Sequence, residues 1–122
     1  MHKGSCLCGA VTFETKQDPE YISNCHCNMC QKHHGAAYAS HAVLRSEDFS
    51  YTSGAEEVSS YNSSGTVIRT FCRHCGSSIE WKDPQNHPQW LSIAVALFDT
   101  TFKAEIPKEF HTEHKAWWMQ NH

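Results

Sequence analysis

The stretch FCRHCGSS, residues 71–78, holds a C-x-x-C pair followed directly by Gly76. In a C-x-x-C turn the chain reverses around a metal ion, and a following glycine accepts the positive φ that such a turn requires. Two cysteines make only half of a closed tetrahedral site, so the other half must lie elsewhere. SCLCGAV, residues 5–11, carries Cys6 and Cys8 as C-x-C. In an extended segment i and i+2 point to the same side, so this pair can present two sulfurs to one ion. Cys6, Cys8, Cys72 and Cys75 together supply the four thiolates of a structural zinc site, with Zn–S distances of about 2.3 Å. Four thiolates also suit an iron–sulfur centre; zinc is the ion expected. The pairing clips the first strand to a hairpin far along the chain, and a metal placed there contributes directly to folding.

The sequence around that clip reads as mainly β. AVTFETK (10–16) sets Val11 and Phe13 on one face against Thr12 and Glu14. TVIRTF (66–71) and SSIEW (77–81) read as strands on either side of the C-x-x-C turn. WLSIAVAL (90–97), apolar on both faces, is predicted to be the most buried strand. SEDFSYTSGAEEVSSYNSSG (46–65) is rich in Ser, Gly and Glu and is expected to be mostly loop, with one short strand near residues 58–61. KDPQNHP (82–88) has two prolines and is expected to be a turn or loop. The tail EFHTEHKAWWMQN (109–121) fits a final strand or a short helix equally well.

Three cysteines remain, Cys25, Cys27 and Cys30, in NCHCNMCQKHHG (24–35). Catalytic zinc sites typically have three protein ligands and one exchangeable position, so a set of three is what an open site requires. Two other readings stand beside it. His26, His33 or His34 can supply a fourth ligand, although His26, between two ligands of a C-x-C, is expected to point away. Alternatively the three are plain thiols, one of them made acidic by a neighbour such as Lys32. Three clustered thiolates repel one another without a cation, which favours the metal.

The chain has 122 residues, enough for a single domain spanning 1–122. No run approaches the roughly 20 apolar residues of a membrane helix, and MHKGSCLCG lacks the apolar core of a secretory signal, so a cytoplasmic location and no membrane partner are expected. In that compartment seven cysteines are metal ligands or reactive thiols rather than a disulfide framework. The formal charge is −3; seven thiolates add −7 and two zinc ions +4, which takes it to −6. With no basic cluster, such a chain does not suit nucleic acid.

Three motifs in order, GSCLCGAVTFE, CHCNMCQKHHG and FCRHCGSSI, with the tail FHTEHKAWW, resemble the glutathione-dependent formaldehyde-activating enzyme family, which also includes a centromere-protein branch. The resemblance spans nearly the whole chain. It implies a β-tent of short antiparallel sheets bridged by zinc, with little helix. It also implies two zinc ions: one structural, on Cys6, Cys8, Cys72 and Cys75, and one catalytic, on Cys25, Cys27 and Cys30. The family's activity, formation of S-(hydroxymethyl)glutathione from glutathione and formaldehyde, is classed as a carbon–sulfur lyase, so a small-molecule thiol and an aldehyde are the expected partners. One position departs from the family pattern: VALFDT has Ala96 where members often show glycine. A methyl group there obstructs a backbone that needs φ > 0 or approaches a ligand closely.

On this reading the zinc holds a substrate thiol, and the pocket donates hydrogen bonds to the oxyanion developing on the aldehyde. Gln31, Lys32, His33 and His34 are the adjacent candidates for that role, with His111 and Lys115 from the tail. The alternative is a non-catalytic zinc module that binds a partner or carries a thiol ligand, with Trp117 and Trp118 in its contact surface.

Overall fold

The computed structural model describes residues 1–119; the final residues of the tail reading lie outside them. Among the described residues ten strands form two sheets. The smaller contains β1 (His2–Ser5), β2 (Thr12–Thr15) and β5 (Phe49–Ser53), antiparallel in the order β1-β2-β5. The larger is built from β3 (Tyr21–Cys25), β4 (Ala39–Arg45), β6 (Val58–Ser64), β7 (Val67–Cys72), β8 (Ser78–Lys82), β9 (Trp90–Ala94) and β10 (Lys108–Phe110). Its order is β10-β3-β4-β9-β8-β7-β6. Every pairing is antiparallel except that of the edge strand β10, which runs parallel to β3. Among the described residues helix is limited to α1 (Asn28–His34) and short 3-10 turns, so the mainly β expectation holds. Among the described residues no helix is long and apolar enough to cross a membrane.

The core lies between the two sheets. Alternation along β2 directs Phe13 and Thr15 inward, and Phe13 packs with Leu44, Leu91 and Ile93 from the large sheet. Its ring stands edge-on to Phe98 at 5.3 Å. Strand β1 crosses so close to this ring that a Cβ on Gly4 would lie 2.1 Å from Phe13 Cζ, so only glycine fits. A second cluster, Val11 and Ile79 with Cys6 and Cys72, surrounds the four-cysteine set. Between the clusters the buried Glu80 carboxylate accepts from Tyr51 Oη (2.7 Å) and Thr70 Oγ1 (2.9 Å), a polar tie from the small sheet to the large one. Burial and the adjacent carboxylate push the Tyr51 phenol far up.

Four local expectations change. Residues 46–65 contain two strands, β5 and β6, rather than one. Both are sheet edges with exposed polar side chains, so their composition reads as loop. Strand β9 stops at Ala94, and residues 95–97 turn into a 3-10 helix. The most buried strand is β4, whose Ala, Ser and His residues give a weak strand signal. Cys6 and Cys8 do not share an extended segment. The chain turns tightly after β1, with Gly9 N–H on Cys6 O (3.1 Å) and Cys6 N–H on Val11 O (3.0 Å). The tail supplies both alternatives, β10 and then two 3-10 turns, while Lys82 ends β8 and residues 83–88 form the expected loop.

Candidate active site

Two cysteine groups assemble whose sulfurs all lie within 4.8 Å of one another: Cys6, Cys8, Cys72 and Cys75, and Cys25, Cys27 and Cys30. In the first, the turn after β1 meets the β7–β8 hairpin, so the set ties the small sheet to the large one. Gly76 has φ +79°, the left-handed conformation that closes the C-x-x-C turn. The Sγ separations Cys6–Cys8 (3.7 Å) and Cys8–Cys72 (3.8 Å) can be tested against a tetrahedron. A metal–sulfur bond of about 2.3 Å gives a tetrahedral edge of about 3.8 Å. The geometry therefore fits a four-coordinate ion. Backbone N–H groups of Val11 and His74 donate to Cys6 Sγ (3.3 Å) and Cys72 Sγ (3.4 Å). Ser77 bridges the halves through Leu7 N–H (2.9 Å) and Cys75 Sγ (3.3 Å).

The second group forms where β3 gives way to α1. Cys25 is the last residue of β3. Cys27 caps α1, its Sγ accepting from Cys30 N–H at 3.3 Å, and Cys30 lies one turn further on the same side. His26, between them, faces the opposite way. It is buried, with Nε2 2.7 Å from Glu109 Oε1, while Asn24 Nδ2 donates to Glu109 Oε2 at 2.8 Å. No His ring nitrogen joins the cluster among the described residues, which therefore offers three ligands and no fourth. Hydrogen bonding from Cys30 pulls the Cys25 thiol down to about 5, while bonding to Cys25 and burial push Cys30 up. One thiol ionises at its neighbour's expense, as expected of a cluster that needs a cation before all three can be thiolates.

Arg69, which the sequence reading passed over, completes the surroundings of Cys30. It is only 3 % exposed, its Nη1 and Nη2 each lie 3.5 Å from Cys30 Sγ, and its Nε donates to Ser63 Oγ at 3.0 Å. Among the described residues it pairs with no carboxylate. A buried guanidinium requires a counter-charge, and the Cys30 sulfur is the group placed to supply it once a bound cation lets it ionise. No sequence motif marks Arg69, because it comes from β7, 39 residues away.

The three-cysteine cluster opens into a cavity of about 660 Å³ on the face of the large sheet turned away from the core. Strand register fixes its floor. Ser23 pairs with His41, Val43 with Ser92, and Trp81 with both Ser92 and Arg69, so these side chains share one face. His41 is buried in this floor. Burial, with His34 (ring centroid 5.2 Å away) and Arg69 nearby, lowers it to about 3 and keeps it neutral. His111 lies at the cavity edge with φ +56°, the one non-glycine left-handed residue among those described, and its Nδ1 is 3.6 Å from Glu113 Oε1.

The helical turn of α1 sends the other expected residues elsewhere: Gln31, Lys32, His33 and His34 do not line the cavity. Gln31 Nε2 donates to His26 O (2.7 Å) and His114 O (2.8 Å), fastening the tail to the loop before α1. Lys32 is exposed. His33 packs toward Phe71, with its Nε2 buried and unpaired among the described residues, and burial lowers its pKa. Lys115, from the tail, is exposed and does not line the cavity. Ala96 also lies off the cavity, exposed on a 3-10 turn without positive φ, so its methyl group does not obstruct the site.

Residues 1–120 match the family model described as glutathione-dependent formaldehyde-activating enzyme. The chain is 26% identical over 110 residues to an uncharacterized lyase of Schizosaccharomyces pombe, covering 86% of this chain and 77% of that one. It is 29% identical over 112 residues to a Halomonas elongata protein provisionally named a glutathione-dependent formaldehyde-activating enzyme, covering 87% and 68% of the two. The crystal structure of a Rhodobacter sphaeroides protein superposes with a TM-score of 0.68 at 29% identity, over 87% of this chain and 98% of that one.

Proposed function

Because the chain belongs to the glutathione-dependent formaldehyde-activating enzyme family, we propose that it is a zinc-dependent carbon–sulfur lyase that joins a thiol to formaldehyde or another small aldehyde. The observation that carries this reading is the three-cysteine cluster, without a fourth ligand among the described residues, opening directly into a cavity of substrate size. Both cysteine sets suit zinc in donor type, and the spacing of the four-cysteine set suits a closed structural site. When bound by Cys25, Cys27 and Cys30, the ion supplies an open coordination position at which a thiol loses its proton readily.

The chain's own residues account for the remaining requirements. Arg69 offsets the negative charge gathered on Cys30, so a further anionic sulfur can approach. His111, at the cavity edge beside Glu113, takes the thiol proton. His41 stays neutral and donates a hydrogen bond to the aldehyde oxygen as it becomes an oxyanion. The new S–C bond forms as the carbonyl π bond opens, and the proton held by His111 ends on that oxygen, giving the hydroxymethyl thioether. Gln31 acts by holding the tail that carries His111.

The test is formaldehyde consumption as a function of thiol, with the spontaneous addition subtracted, for the parent protein and Cys27→Ala. Loss of the catalysed rate together with one metal ion per chain is expected. A Cys27→Ala protein with full turnover and full metal content would sink the reading in favour of a non-catalytic zinc module.

A further inference from the structure

Strand β3 ends at Cys25, and the chain turns a corner there before α1 begins at Asn28. Cys25 and Cys27 stand on that corner and Cys30 on the first turn beyond it, so its shape sets where the three sulfurs meet. Loops keep such a shape only when something outside them holds it.

The holder comes from the C-terminal edge strand. Parallel register sets Lys108 beside Ser23, Glu109 beside Asn24 and Phe110 beside Cys25. Ser23, Cys25 and Phe110 line the cavity, so alternation puts Asn24 and Glu109 on the opposite face of the sheet, out of reach of a substrate. There one carboxylate grips both neighbours of Cys25: Oε1 lies 2.7 Å from His26 Nε2, and Oε2 accepts from Asn24 Nδ2 at 2.8 Å. Both partners are themselves fixed. Asn24 Oδ1 accepts from Ser40 Oγ (2.6 Å), His26 N–H donates to Phe110 O (3.0 Å), and the buried His26 ring lies 5.0 Å from that of Tyr38. The Glu109 side chain is 43 % exposed, so replacing it empties no core.

We propose that Glu109 is a positioning residue for the three-cysteine centre: by clamping Asn24 and His26 it fixes the Cys25 and Cys27 sulfurs, and it seats the following segment that carries His111. The effect on the metal rests on the cluster holding an ion, and the effect on rate rests on the thiol–aldehyde reading. Glu109 is 79 residues from Cys30 in the chain, and only the parallel pairing of β10 with β3 brings it to the corner.

The experiment is cadmium NMR of the fully cadmium-loaded protein, in which the four-sulfur and three-sulfur sites give separate resonances, with chelator competition and formaldehyde consumption on the zinc-loaded protein. Glu109→Ala should displace the three-sulfur resonance and leave the four-sulfur one in place. It should also raise the dissociation constant at the first site about tenfold and, with metal saturating, lower kcat about tenfold, the low end for a group acting behind a ligand. Glu109→Gln offers an oxygen to Asn24 and an amide to the other tautomer of His26, so it should return each readout toward the parent. A Glu109→Ala protein with the parent's resonances and affinities overturns the inference and leaves the catalytic reading intact; displacement of both resonances together also overturns it, since that marks general loosening. A parent with both resonances but no turnover overturns the catalytic reading instead, and the resonance shift still decides the role of Glu109. A parent with the four-sulfur resonance alone overturns both.

Discussion

Replacing Arg69 with methionine should weaken metal binding at the three-cysteine cluster and leave the four-cysteine set untouched. The guanidinium is buried and sends two N–H groups to Cys30 Sγ at 3.5 Å. Unit charges at that separation attract by about 4–5 kcal/mol at an effective dielectric of about 20. Water entering the variant and rearrangement of the thiol return part of this, so the net loss should approach that of a charge-assisted hydrogen bond, about 1.5–3 kcal/mol. That converts to a dissociation constant raised about 10- to 150-fold at one site. Competition with a chromophoric chelator, run to equilibrium on the fully loaded protein, resolves the two ions, and the four-cysteine set serves as internal control. Arg69→Lys, which keeps the charge but loses the forked geometry, should fall between the two. Superimposable release curves for Arg69→Met and the parent would refute the counter-ion argument. Equal weakening of both sites would show general loosening of the fold instead.

Other consequences follow from single positions. Cys72 is fully buried at the junction of the two sheets, and a structural zinc supplies about 10–16 kcal/mol, as much as a domain's whole stability of about 5–15 kcal/mol. Cys72→Ser should therefore lose one metal ion and the cooperative thermal transition; a variant that retains both would show that the clip does not hold the fold. Gly54 has φ +77°, and a Cβ there would lie 1.8 Å from Ala10 O, so Gly54→Ala should cost about 2–4 kcal/mol, visible as a Tm lower by several degrees. Burial lowers His34 to about 4 and His41 to about 3. The unfolded chain thus binds more protons below about pH 6.5, and the stability these neutral imidazoles contribute is complete above that pH. It is lost as pH falls toward 4 and then 3, by up to about 1.4 kcal/mol per pH unit for each group. Urea titrations with saturating metal should show a shallower slope between pH 6.5 and 4.5 for His41→Gln than for the parent; parallel slopes would remove His41 from the account.

The sequence by itself determined what short spacings can encode. Cys72, Cys75 and Gly76 specify a turn around an ion, Cys25, Cys27 and Cys30 specify a three-sulfur cluster, and Phe13 with its alternating neighbours specifies an inward strand face. These patterns are local, so i, i+2 and i+3 geometry reveals them without knowledge of the fold. The pairing of Cys6 and Cys8 with Cys72 and Cys75 was legible too, because four thiolates are the number a closed tetrahedral site takes. Tertiary structure alone decided the rest of the site. Adjacency to Cys30 in sequence marked Gln31, Lys32 and His33, but the pitch of α1 turns them away from the cavity. Arg69, His41, Trp81 and Trp90 arrive from four separate strands whose register, not their sequence spacing, sets them on one face. A sheet places side chains from distant segments about 5 Å apart, and no one-dimensional pattern records which segments those are.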